Sequence, residues 1–133
     1  MINQQALENA VNLMELEFYR VKRYKVPITV AIVESRCKDL FNKVIEDSIR
    51  VSDLYQYLDQ NRFLIIFDHT DEKGARLALD KIINHMENKC EESIFMGYSE
   101  VKRTDDESSV TIQRAVKALS NAKQRLVSCI EKL

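Results

Sequence analysis

Apolar residues early in the chain fall on a helical repeat. Leu7, Val11, Met14, Phe18 and Val21 follow at alternating steps of four and three, which places them on one narrow stripe of an α-helix. No Gly or Pro precedes Pro27, so a helix is predicted from Ala6 to about Lys25. The stripe spans too few heptads to establish a coiled coil; packing on its own domain and a short dimer contact both fit. After Pro27 the period changes. The run ITVAIVE, 28–34, is β-branched and apolar on both faces, the pattern of a central strand covered on two sides. Leu40, Phe41, Val44, Ile45 and Ile49 then return to helical spacing. Two runs rich in Tyr, Phe, Leu and Ile, 53–58 and 62–67, flank a polar turn and predict a hairpin.

The polar break DHTDEKG offers Thr70 or Asp71 as a helix cap. Ala75, Leu79, Ile82, Ile83 and Met86 mark the buried face of the helix that follows. SIFMGYS, 93–99, reads as a short strand, and Gly97 inside it signals a bulge or a close backbone approach. A last helix begins near Ser109, with Ile112, Ala115, Leu119 and Ala122 on one face. Beyond Lys123 there is no Gly or Pro, and Leu126, Ile130 and Leu133 continue that spacing, so the helix is expected to run on. A core over about 27–123 thus has the order strand, helix, hairpin, helix, strand. That order is the βαββαβ unit of a ferredoxin-like α/β sandwich, a central, mainly antiparallel sheet flanked by helices. An N-terminal helix is added to it.

Composition narrows the function. The chain has 133 residues, 45% apolar and 31% charged, enough for one domain with its own core. The formal net charge of -1 gives no overall drive toward nucleic acid or an anionic membrane, although a few local arginines suffice for one anionic ligand. No apolar run approaches membrane-spanning length and no signal-peptide pattern opens the chain; membrane insertion is not expected, and a cytoplasmic location is. Cys37, Cys90 and Cys129 are odd in number and lack metal or redox spacing, so buried free thiols are expected. His69 and His85 have no ligand-spaced neighbours. With two Gly in the whole chain, a glycine-rich phosphate loop is excluded. No metal and no cofactor are expected.

Four segments, in order, resemble the GGDEF domains of diguanylate cyclases. VPITVAIVE, 26–34, looks like the family's first core strand. RVSD, 50–53, five residues and then DQNRF, 59–63, look like its RxxD inhibitory site and the GGDEF turn at the family's spacing. SIFMGYS resembles its SxGxA-type strand, and RAVKALSNAKQ its ADxALYxAK helix, with Ala115, Ala118, Ala122 and Lys123 in matching places. The resemblance implies a sandwich of GGDEF, or nucleotide-cyclase, type. It also shows what has been replaced. The family's two glycines let the backbone approach a nucleotide without a Cβ clash; here they are Asp59 and Gln60. The acidic third position is Asn61, a poorer ligand for a hard divalent cation, and the acidic fourth is Arg62. Only Phe63 is kept. The first strand, which in the family ends at a metal-binding Asp, ends here at Glu34, and Arg36 stands where a second carboxylate would be. The helix carrying the family's nucleotide-contacting Asn is shortened or deleted, the LTGLxNR segment is absent, and the final strand is expected to be lost to the continuing helix. Phosphoryl transfer needs metal and positioned charge, so no catalytic residue is assigned. A weakly hydrolytic relic using Glu34 ranks last.

Arg50 and Asp53 carry two readings. By resemblance they bind cyclic di-GMP: a guanidinium can donate to guanine O6 and N7 or stack on the base, and a carboxylate can accept from its N1–H and N2–H. Equally, they form a surface ion pair, or Asp53 ties down the backbone where helix gives way to strand. The expected function is accordingly a catalytically inactive GGDEF-like regulatory domain of bacterial signalling that senses cyclic di-GMP through Arg50 and Asp53. The alternative is a protein-interaction or homodimerisation module working through its terminal helices, with Leu7, Phe18, Leu126 and Ile130 at the contact and no nucleotide. The basic group Arg20, Lys22, Arg23 and Lys25 reads as a solvated helix end facing the C-terminal dipole, or as a second grip on phosphates.

Overall fold

The computed structural model describes residues 3–87, 89–105, 107–125 and 129–133. Helix α1 spans Gln4–Tyr24. Its first turn is capped by Asn3, whose side chain accepts from the backbone N–H of Gln5 and Ala6 at 2.8 and 3.2 Å, satisfying donors that a helix start leaves free. It ends at Lys25, which takes a left-handed φ of 58° ahead of Pro27. Then follow β1 (Thr29–Glu34), α2 (Lys38–Ser48), β2 (Leu54–Tyr57), β3 (Arg62–Phe67), α3 (Glu72–Glu87), β4 (Phe95–Glu100), α4 (Ser108–Lys123) and β5 (Cys129–Lys132).

The strands form one sheet in the order β2-β3-β1-β4-β5. β1 is central and antiparallel to both neighbours, with Ala31 opposite Ile65 on one side and Tyr98 on the other. Alternation sends Ala31, Val33, Phe63, Ile65 and Met96 to the face covered by α2 and α3. Val30, Ile32, Leu64 and Ile66 go to the opposite face, against α1 and α4. Gly97 belongs to this second face, and α4 rests directly on it: a Cβ there would lie 2.2 Å from the Leu119 nitrogen and 2.6 Å from the Ala115 oxygen. The close approach read from the sequence is therefore real.

Two expectations are overturned. The chain after α4 does not continue as a helix: β5 pairs in parallel with β4, Ile130 beside Met96. β4 would otherwise expose an unpaired edge, and a parallel neighbour can be reached only through a crossover, which α4 supplies. Ile130 is a buried strand residue, and Leu126 lies outside the described residues. Likewise, Cys37 and Cys90 are not free thiols but a disulfide, with Cα atoms 6.2 Å apart and 53 residues of separation. The fold explains the pairing. β1 and β3 run antiparallel and each feeds the helix that follows it, so the start of α2 lies beside the end of α3. Cys37 caps the first and Cys90 sits three residues past the second.

Candidate functional site

Glu34 is the last residue of β1 and stands opposite Arg62, the first residue of β3. That register brings the Arg62 Nε to 2.8 Å from Glu34 Oε1, and Lys123, from the end of α4, donates to the same oxygen at 3.1 Å. Arg62 also donates to Asp59 Oδ2 at 3.1 Å. The other oxygen of Asp59 accepts from the backbone N–H of Asn61 and Arg62, each at 2.9 Å, and this side-chain turn shapes the hairpin tip. Among the described residues only Lys25 and His69 combine a side chain with positive φ, so the tip makes no demand for glycine. Glu34, Asp59, Gln60, Asn61 and Arg62 line a shallow hollow of about 280 Å³. Burial alone would raise the Glu34 pKa, but the hydrogen bonds and charges of Arg62 and Lys123 outweigh it and hold the carboxyl below its ordinary value. These residues do not fit a divalent metal. The one carboxylate at the end of β1 already faces two cations, Arg36 is exposed, and among the described residues no three of His, Cys, Asp and Glu are grouped to share an ion.

Arg50 and Asp53 lie at the other end of the sheet. β1 is six residues long, so at about 3.3 Å per residue roughly 17 Å separates the two ends, and the structure does not unite the RxxD residues with Glu34. Arg50 to Asp53 is a tight turn leaving α2, closed by Asp53 N–H donating to the Arg50 carbonyl at 2.9 Å. Asp53 is shared between backbone and the Arg50 side chain. One oxygen accepts from the Arg50 N–H and the other from the Asp68 N–H, both at 2.9 Å, and its side chain is 2% exposed. The Arg50 guanidinium, 55% exposed, donates to Asp53, to the Asp68 carbonyl and to Thr70 Oγ1. With Asp53 it lines a cleft of about 440 Å³ whose walls also include Pro27, Ser48, His69, Thr70 and Asp71. Asp53 is thus the positioning residue of the pair and Arg50 the one that can meet a ligand.

Sequence reasoning did not find several of the partners around these residues. His69 has φ 50°, and its Nδ1 is 3.0 Å from Asp68 Oδ2; the other Asp68 oxygen takes Arg20 of α1 at 3.1 Å. Lys123 was legible only as part of a helix motif, not as a partner of Glu34. A third hollow, about 440 Å³, separates α1 from α4 and is floored by Leu7, Val11, Ile112 and Val116. Leu7 and Phe18 are half-buried against their own chain's sheet. Among the described residues no helix is long and apolar enough to cross a membrane.

No protein-family profile and no curated protein matches the sequence. Solved structures do match its shape. The GGDEF domain of DgcB from Caulobacter crescentus, in complex with c-di-GMP, superposes with a TM-score of 0.77 at 14% identity, over 98% of this chain and 90% of that one. The FimX GGDEF domain from Pseudomonas aeruginosa gives 0.82 at 15% identity, over 95% and 92%. The active GGEEF domain of a diguanylate cyclase from Vibrio cholerae gives 0.76 at 16%, over 95% and 96%. The chain is folded as a GGDEF domain.

Proposed function

We propose that this chain is a catalytically silent regulatory domain of GGDEF fold that receives cyclic di-GMP through Arg50, with Asp53 fixing the turn that presents it. The observation that carries the reading is the contrast within the pair: a half-exposed guanidinium lining a cleft, on a turn whose carboxylate is buried and bonded to backbone. A dianionic guanine ligand suits such a group, which can donate to a base edge or to phosphate. That a domain of the same fold is known in complex with c-di-GMP supports the choice of ligand. Silence rests on the other end of the sheet, where Arg62 and Lys123 occupy the carboxylate that a metal would need.

The test is calorimetric titration of cyclic di-GMP into the full chain and into Arg50→Ala, with the fold of each checked by circular dichroism. Micromolar binding that vanishes in the variant is expected, together with no magnesium-dependent turnover of GTP. Absence of heat at clear ligand excess would remove the receptor, and turnover would remove the silence. A second reading, a protein-interaction module, is supported by the apolar hollow between α1 and α4. It predicts a concentration-dependent mass in light scattering that falls when Val116 is made polar.

A further inference from the structure

The net charge of -1 conceals how the charges are distributed. Lys22, Arg23 and Lys25 stand at the end of α1, and Lys102 and Arg103 begin the loop after β4. The fold joins the two segments. Val101 N–H donates to the Ile28 carbonyl at 2.9 Å, and the Lys22 ammonium donates to the carbonyl of Arg103. Arg23, Lys25, Lys102 and Arg103 are exposed. Among the described residues, none of the five cations has a carboxylate at ion-pairing distance. Nearby carboxylates are engaged elsewhere: Glu17 and Asp68 with Arg20, Asp105 with Arg114, and Glu100 with the backbone of Glu72. The exposed Glu87, Glu91 and Glu92 lie toward the opposite end of the sheet, while Asp71 and Glu107, exposed on the cationic end itself, accept from the Gly74 N–H and the Ser109 hydroxyl.

Two tyrosines share the cationic end. Tyr19 and Tyr24 are 51% and 63% exposed, meet edge to face at 6.4 Å, and Tyr24 lies 5.8 Å from the Arg23 guanidinium. We propose that this end of the domain docks on an anionic phospholipid surface. A helix terminus and a loop supply the cations, and none of the hollows described above is lined by them, so there is no groove to follow a nucleic-acid strand. The rings pack on each other edge-on and do not stand as successive stacking platforms. Half-exposed tyrosines beside lysine and arginine suit the head-group layer, which accommodates an apolar ring body and a polar tip together. Anionic lipid attracts each cation that comes within a Debye length of it.

The full chain is to be sedimented with phosphatidylcholine vesicles, with and without about one-third phosphatidylglycerol, at roughly 50 mM salt, where screening is weak. Binding only to the anionic vesicles is expected. Arg23→Glu with Lys25→Glu should weaken it by about thirty-fold or more, and Lys102→Glu with Arg103→Glu by as much, each variant retaining its circular dichroism spectrum. Lys43→Glu with Lys117→Glu changes the net charge equally on other faces and should alter binding by less than about three-fold. No sedimentation of the wild type, or an equal loss in the control pair, would overturn the proposal. So would affinity for a single-stranded DNA oligonucleotide without affinity for the vesicles, which would assign the patch to nucleic acid.

Discussion

Replacing Asp53 by Ala should unfold this domain far more readily than replacing Arg50, although the two form one ion pair. The Asp53 carboxylate receives two backbone N–H groups at 2.9 Å, from Arg50 and from the buried Asp68. Hydrogen bonds to a charged acceptor are each worth about 1.5–3 kcal/mol, and a buried donor left unpaired carries its full desolvation cost. Asp53→Ala should therefore lose at least about 3 kcal/mol, a large share of the ~5–15 kcal/mol available to a domain. Arg50 is half-exposed, and a pair of that kind contributes about 0–1 kcal/mol. The Asp68 carbonyl that Arg50 meets also accepts from Thr70 Oγ1 at 2.8 Å, so it is not orphaned by the change. Urea denaturation followed by circular dichroism separates the cases. With m near 1.5 kcal/mol/M, Asp53→Ala should lower the midpoint by about 2 M, and Arg50→Ala by less than about 0.7 M. An unmoved midpoint for Asp53→Ala, or equal falls for the two variants, would refute the division of labour. It also follows that Arg50, not Asp53, is the residue to change when ligand binding is the readout.

Gly97→Ala places a Cβ 2.2 Å from the Leu119 nitrogen and 2.7 Å from the Ala118 carbonyl carbon, so α4 must move; a loss of about 1–3 kcal/mol or more in urea unfolding is expected. Cys90→Ser opens a loop of 53 residues and should cost about 4 kcal/mol by chain entropy. Because a reducing compartment would hold the same sulfurs as thiols, the wild type with dithiothreitol should fall to about the variant's midpoint. Glu34 has its pKa held below the ordinary 4.5 in the folded chain, so on acidification the unfolded chain takes up the proton first. Its contribution is complete above about pH 4.5 and is lost as pH falls through the folded value. Glu34→Gln should accordingly be less stable at about pH 7 and lose less between there and about pH 3. Asp105 acts in the same sense: burial would raise its pKa, and Arg114, the Lys102 N–H and Thr111 more than reverse that.

What could be read from the sequence was whatever a single segment states by itself. The β-branched, two-sided run ending at Glu34 fitted a covered central strand, and it is central. Gly97 announced a neighbour's backbone, and α4 supplies it. The turn residues placed the hairpin between β2 and β3. What escaped was set by topology. Ile130 satisfies a helical period and a strand alternation alike, and only the open edge of β4 decides between them. Cys37 and Cys90 have no meaningful spacing until two antiparallel helices bring them together. Lys123 sits 89 residues from Glu34, and no local pattern couples them. His69 gave no signal beyond a polar break, since its left-handed backbone follows from the route the chain takes into α3.

The arginine at the hairpin tip makes sense only with that topology in view. A carboxylate at the end of β1, partly buried and without a counter-charge, would be costly. Register puts residue 62 directly opposite, so an arginine there answers the charge across the strand pair. Lys123, one turn from nothing in sequence but adjacent in space, binds the same oxygen. With Asp59 on the far side of Arg62, two cations meet two carboxylates, and the local charge closes to zero without an ion. A divalent metal would have to displace an ammonium and a guanidinium and then remain beside both, a repulsion the four oxygens could not offset while still holding the hairpin. At the opposite end Arg50 also has a carboxylate partner, but Asp53 is buried and shared with two backbone N–H groups, and the guanidinium itself stays half-exposed. One end of the sheet is thus a closed clamp of paired charges, and the other carries a paired but half-exposed guanidinium.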